Sequence, residues 1–120
     1  MADAEFSADV AGSRLRIWDD SVPLARIVTG LRFAEGPLWH PVDHHLTFSD
    51  IPGNRIYRLR EGGSASSLVA PSNHANGNAY DDEGRLVTCE HATSRVVRRD
   101  GDGATVLAAC WEGRELNSPN

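Results

Sequence analysis

A chain of 120 residues that is 40% hydrophobic and 24% charged suits one ordinary globular domain and excludes a disordered chain. Its net charge of −5 argues against a nucleic-acid partner, because phosphate-backbone binding is driven largely by Lys and Arg. No stretch approaches the roughly 20 apolar residues of a membrane span, and the acidic residues 1–10 lack the basic start and apolar core of a signal peptide, so no membrane association is expected. All twelve basic residues are Arg, a bias that fits a GC-rich coding sequence better than an Arg-specific task. Cys89 and Cys110 have no metal-type spacing and are expected to be reduced, buried thiols of a cytoplasmic protein.

In chain order, residues 1–12 lack periodicity and read as a loose terminus. Arg14-Leu15-Arg16-Ile17-Trp18 alternates and predicts a short strand, stopped by Asp19-Asp20, and a second apolar run covers residues 24–28. Phe33-Ala34-Glu35-Gly36-Pro37-Leu38-Trp39 then places a carboxylate inside an apolar frame at the start of a strand. Gly36 permits unusual dihedrals and Pro37 removes a ladder donor, so the strand is expected to begin irregularly. A carboxylate so framed needs a hydrogen-bonded partner, a cation or a metal, unless the stretch is a surface turn with a solvated Glu.

From Glu35 onward the chain repeats. Leu46-Thr47-Phe48-Ser49-Asp50, Arg55-Ile56-Tyr57-Arg58-Leu59 and Ser67-Leu68-Val69-Ala70 alternate with turns rich in Gly, Asn and Pro. A second copy runs from Asn76 through Arg85-Leu86-Val87-Thr88-Cys89-Glu90 and Arg95-Val96-Val97-Arg98-Arg99 to Thr105-Val106-Leu107. Leu46 maps onto Leu86, Arg55 onto Arg95, Ile56 onto Val96 and Arg58 onto Arg98, each pair 40 residues apart. About 40 residues carrying four short strands is the arithmetic of a β-propeller blade. Two unrelated meanders in an all-β sandwich are the weaker alternative, because four matched positions share one frame. The expected fold is all-β, with a leader and closing strand over residues 1–30, blade one over 31–71, blade two over 72–112 and the start of blade three over 113–120. On this reading the chain is the N-terminal part of a longer protein. As an isolated fragment it is expected to be inactive and prone to aggregate, since repeat units depend on their neighbours.

The copies open at Glu35, Asn76 and Asn120, at intervals of 41 and 44 residues. The first strand of each propeller blade lines the central channel, so these positions are expected to converge there. One carboxylate and two amide carbonyls suit a hard cation such as Ca²⁺, Mg²⁺ or Mn²⁺. The alternative is that the Asn residues cap turns.

These motifs, together with Ile51, Asn54, Gly77, Gly84, His91 and Leu116-Asn117-Ser118-Pro119-Asn120, resemble in order the gluconolactonase family, which also includes regucalcin (senescence marker protein) and the luciferin-regenerating enzyme. The resemblance implies a six-bladed propeller, one divalent metal ion (Ca, Mg, Mn or Zn) in the channel, and lactone hydrolysis in carbohydrate metabolism. It further implies that Glu35 and Asn120 are metal ligands, and that Asn76 and Asn120 face a sugar lactone or related cyclic ester. His91, at the end of its strand, is a weaker substrate-facing candidate, since a lone His is more often a structural hydrogen-bonder. Asn76 is not a principal metal ligand in the family, and the general base is expected beyond residue 120. The competing reading is a non-catalytic ligand-binding propeller or an inactive truncated fragment.

Other candidates are weaker. His44-His45 lies in a turn and is expected to be solvated, and His74 sits in a loop near the channel mouth. Asp50 and Glu90 occupy equivalent places and are expected to serve the turns that follow them. No Gly-x-Ser-x-Gly is present, and neither Cys has an activating base in its neighbourhood.

Overall fold

The computed structural model describes residues 21–120 and, before them, the backbone of two short paired strands, β1 (Ser7–Val10) and β2 (Ser13–Arg16). The strand expected over residues 14–18 thus appears at its first three positions, and Ile17 and Trp18 lie outside the described residues. Part of the expected loose terminus pairs as β1. Residues 24–28 form no strand; they run as irregular chain past blade one.

Blade one is an antiparallel meander of β3 (Ala34–His40), β4 (His45–Asp50), β5 (Arg55–Arg60) and β6 (Ser66–Val69). Blade two repeats it with β7 (Ala75–Tyr80), β8 (Leu86–Glu90), β9 (Arg95–Asp100) and β10 (Gly103–Ala108). A two-residue ribbon follows, β11 (Cys110–Trp111) with β12 (Arg114–Glu115). The 40-residue frame extends to strand register. Thr47 faces Arg58, Ser49 faces Ile56 and Asp50 faces Arg55; Val87 faces Arg98, Cys89 faces Val96 and Glu90 faces Arg95.

The turns repeat as well. The Asn54 N–H bonds the Ile51 carbonyl and the Ser94 N–H bonds the His91 carbonyl, each turn ending on a residue of positive φ, 53° and 49°. Asn tolerates that left-handed backbone better than Ser, because its short amide bonds locally.

The apolar core lies between the blades. Ile56 and Ala75 are fully enclosed and join Leu86, with Leu38, Val69 and Tyr80 packed around them. Enclosing one aliphatic side chain such as Ile56 contributes about 1.5–3 kcal/mol. Thr47, Ser49 and Thr88 are also fully buried; Thr47 Oγ1 bonds Tyr80 and Ser49 Oγ bonds the Asn76 carbonyl, whereas Thr88 Oγ1 has no partner among the described residues. No helix among the described residues is long and apolar enough to cross a membrane.

Candidate functional site

Each innermost strand opens with a β-bulge. On β3 one extra residue is fitted between Glu35, opposite Ser49, and Leu38, opposite Thr47. On β7 the same occurs between Ala75, opposite Glu90, and Asn78, opposite Thr88. A bulge bends the strand and re-aims its side chains. Glu35-Gly36-Pro37 and Asn76-Gly77 form these bends, which is the irregular start expected from Gly36 and Pro37.

The bulges bring the blades together. Gly36 has a φ of 55°, and a Cβ there would stand 2.5 Å from Asn78 Nδ2 and closer still to the Asn76 carbonyl oxygen. Only glycine lets β7 approach β3 so nearly. One blade further on, a Cβ on Gly77 would meet the main-chain carbon of Asn120 at 3.1 Å and its Oδ1 at 3.6 Å. Asn120 thus lies against Gly77 of blade two as Asn76 lies against Gly36 of blade one, so the blade-start backbones stand in a row.

Side chains lock this row. Asn78 Nδ2 donates to the Gly36 carbonyl at 2.9 Å and to Ser49 Oγ at 2.8 Å, while Ser49 Oγ donates to the Asn76 carbonyl at 2.9 Å. Ser49 and Asn78 were not singled out from the sequence. The available signal was weak: Ser49 lies between Phe48 and Asp50 on a strand with several polar residues, and Asn78 follows the Asn-Gly pair already read as a strand start.

Glu35 is half-buried, and one carboxylate oxygen accepts the Gly36 N–H at 3.3 Å. No cationic side chain among the described residues pairs with it. Asn76 is 6% exposed, and its Oδ1 is buried with no partner. The Oδ1 of Asn78 is likewise unpaired. An unsatisfied buried acceptor costs about 1–3 kcal/mol, so the two Asn oxygens are poised for a ligand that brings positive charge or hydroxyl donors. Carboxylate and amide oxygens are hard donors, which fit a Ca²⁺- or Mg²⁺-type ion in chemistry.

His91 lies in the exposed turn after β8, at the end where β7 begins; its N–H donates to the His74 carbonyl at 3.2 Å. His74 is a structural link. Its N–H donates to Asn54 Oδ1 at 2.9 Å, and its Nδ1 stands 2.8 Å from the Ile51 carbonyl, which fixes the proton on Nδ1 because a carbonyl only accepts. Asn54 Oδ1 also accepts the Ser72 N–H at 3.1 Å, tying the turn of blade one to the entrance of blade two.

Asp50 and Glu90 serve the turns around them. Asp50 accepts the N–H groups of Phe33 at 3.0 Å, Arg32 at 3.1 Å and Gly53 at 3.4 Å. Glu90, 1% exposed, accepts from Thr93, Asn73, Arg95 and Arg99. Burial pushes both carboxyls upward, but these donors and the neighbouring Arg charges more than offset it, so both titrate below the ordinary range.

His45 corrects the expectation of a solvated pair. Only His44, at a φ of 49°, stays exposed on the turn. His45 opens β4, is 4% exposed and meets Tyr80 of blade two. The cause is tertiary, since β7 covers that face of β4. Burial first, then the charges of His40, Arg60 and Arg58, hold its imidazole below the usual range against the opposing Asp43. Cys89 and Cys110 are free thiols; Cys89 is half-buried and its thiol is pushed up by burial, whereas Cys110 is exposed against expectation.

Residues 33–120 match the SMP-30/gluconolactonase/LRE-like region. The chain is 26% identical over 119 residues to a gluconolactonase of Zymomonas mobilis, covering 87% of this chain and 33% of that protein. It superposes with a TM-score of 0.71 on a gluconolactonase of Xanthomonas campestris described as important in glucose secondary metabolic pathways, at 38% identity over 75% of this chain and 31% of the other. A structural-genomics gluconolactonase candidate gives a TM-score of 0.74 at 34% identity, covering 80% of this chain and 34% of its own. The chain thus spans about a third of the length of these relatives, and its two blades are part of a β-propeller. It belongs to the SMP-30/gluconolactonase/LRE-like family.

Proposed function

We propose that the whole protein is a lactonase-type hydrolase that opens a sugar lactone or a related cyclic carboxylic ester. The observation that carries this reading is the row of oxygens at the blade starts, in which Asn76 Oδ1 is buried and unpaired next to the strand that bears Glu35. Glu35 and Asn120 would hold a divalent ion of the Ca, Mg, Mn or Zn class. Such an ion, when bound, supplies Lewis-acid polarisation of the ring carbonyl. Glu35 contributes the negative charge of the set, and the Gly36 N–H and the bulge hold its orientation. Asn76 and Asn120 offer amide groups to sugar hydroxyls, and the exposed His91 turn borders the same end of the blade. No residue of this chain is assigned as the base that activates water. Residues 1–30 are proposed as leader and closing strand, and two blades in about a third of the relatives' length accord with a six-bladed ring. The free thiols suit a reducing compartment, and we place the protein in the cytoplasm.

The test is lactone opening by the full-length protein, followed as acid release, before and after chelation and in Glu35→Gln. Chelation and Glu35→Gln are each expected to cut turnover strongly while the circular dichroism spectrum is unchanged. Aldonolactone opening no faster than in buffer would sink the reading and favour a non-catalytic binding propeller. Equal Ca²⁺ or Mn²⁺ affinity in wild type and Glu35→Gln would remove Glu35 from the ligand set.

A further inference from the structure

At the opposite end of β3 from Glu35, the hairpin to β4 gathers three groups of a different chemistry. A nitrogen of His40, a nitrogen of His45 and a carboxylate oxygen of Asp43 all lie within 4.8 Å of one another. His40 is five residues from Glu35 on the same strand, about 17 Å along the chain at the rise of a β-strand, so this cluster is separate from the blade-start oxygens.

The decisive feature is His45. Tyr80 Oη lies 2.7 Å from Thr47 Oγ1 and 3.1 Å from His45 Nε2. Whichever way the hydroxyl protons point, this network uses Nε2 alone. Nδ1 is buried and has no partner among the described residues, on a side chain only 4% exposed. His40 Nδ1 accepts the Asp43 N–H at 3.0 Å, which places its proton on Nε2 and makes Nδ1 the basic nitrogen; an ion bound there takes the place of that N–H, and Asp43 Oδ2 stands 3.8 Å away. The two imidazoles stack with centroids 4.9 Å and planes 14° apart, so one ring must turn for both in-plane lone pairs to reach one ion; Tyr80 packs T-shaped on His40 at 4.5 Å.

We infer that His40, Asp43 and His45 form a binding site for a divalent transition metal such as Zn²⁺, held at the junction of blades one and two. Two imidazoles and a carboxylate suit a borderline ion rather than Ca²⁺ or Mg²⁺. Metal–nitrogen bonds of about 2.0–2.1 Å put tetrahedral donor atoms roughly 3.4 Å apart, so the cluster must contract on binding. Asp43 and His40 are the ligands that move: the Asp43 side chain is 58% exposed on the turn, with Arg60 bonding its main-chain carbonyl and leaving the carboxylate open, and the His40 ring turns out of the stack toward it. Tyr80, donated by blade two, then acts as the outer partner that orients His45, as hydrogen-bonded imidazole ligands require. The ion would pin the β3–β4 hairpin against β7 and raise stability as a ligand of the folded state does.

The test is calorimetric titration of ZnCl₂ into chelator-treated protein in the Glu35→Gln background, where the proposed blade-start site is already impaired. One equivalent is expected to bind and to raise the melting temperature. Losing an outer-shell partner alone weakens metal affinity by about 10–100-fold, so Asp43→Asn and His40→Gln should each cost at least tenfold. Asp43→Asn, on an exposed side chain, leaves the fold intact. Cu²⁺ in place of Zn²⁺ should show hyperfine coupling to two imidazole nitrogens in its paramagnetic resonance spectrum, reduced to one in His40→Gln. No binding in the Glu35→Gln background, unchanged affinity in Asp43→Asn and His40→Gln, or loss of the equivalent in His44→Gln would each overturn the assignment.

Discussion

Blades one and two share a frame, a register and a pair of turns, yet they solve the same position differently. Asp50 closes β4 and Glu90 closes β8. The shorter Asp50 reaches only backbone, taking N–H groups from Arg32, Phe33 and Gly53. The longer Glu90 reaches side chains, and Arg95 and Arg99 both pair with it at 3.0 and 2.9 Å. The inner strands differ too. Asn76 is buried because β3 lies against β7, whereas Glu35, its counterpart, remains half-exposed at the face of blade one that carries residues 26–31. There the chain leaves an apolar cavity of about 330 Å³ over Pro37, Leu46 and Phe48. The repeat sets the position; the neighbour sets what the position must do.

The largest effect should come from Glu90. Glu90→Ala removes the buried acceptor of Thr93, Asn73, Arg95 and Arg99, and with the Arg side chains 35% and 17% exposed a loss of about 3 kcal/mol is expected. Asp50→Ala leaves N–H donors without a partner but no charge, so about 1–3 kcal/mol is expected. Urea unfolding of both variants measures the gap. Equal losses would show that the Arg pair adds nothing beyond what the backbone caps supply.

Gly36→Ala comes next. It combines positive φ with a clash against Asn76 and Asn78, and a loss of about 3 kcal/mol is expected. Gly77→Ala has neither the positive φ nor so close a neighbour. It should cost about 1 kcal/mol and act mainly by displacing Asn120, seen as weaker Mn²⁺ binding with near-normal thermal unfolding. If the two variants melt alike, the blade junctions are not asymmetric in the way the contacts indicate.

The smallest effect is on pH dependence. Both carboxyls titrate lower in the fold than in the unfolded chain. Their stabilisation is therefore complete above the unfolded values of about 4.3 for Glu and 3.9 for Asp and is lost as pH falls through the folded values. Acid unfolding should set in below about pH 4, and Glu90→Gln should flatten that limb while Asp50 keeps part of it. Urea midpoints measured across this range decide the matter; an unchanged limb in Glu90→Gln would place the acid sensitivity elsewhere.

The amino-acid sequence determined the blades themselves. Alternation along β5, the positions matched between the two copies and the spacing of Asn, Gly and Pro turns are local properties, written with a period of two and a frame of 40 residues, so they are legible without any partner. The blade starts were legible for the same reason, since Glu35 and Asn76 each precede a glycine at the head of a strand. Tertiary structure alone decided which faces meet. Nothing local marks Ser49 as the partner of Asn78, 29 residues away, or His45 as the partner of Tyr80, 35 residues away. Periodicity tells that a side chain leaves one face of a strand. Whether that face meets water, a ligand or the next blade is fixed only when the neighbouring sheet arrives, and that is why His45 and Asn76 hold buried, unpaired atoms that composition and spacing could not announce.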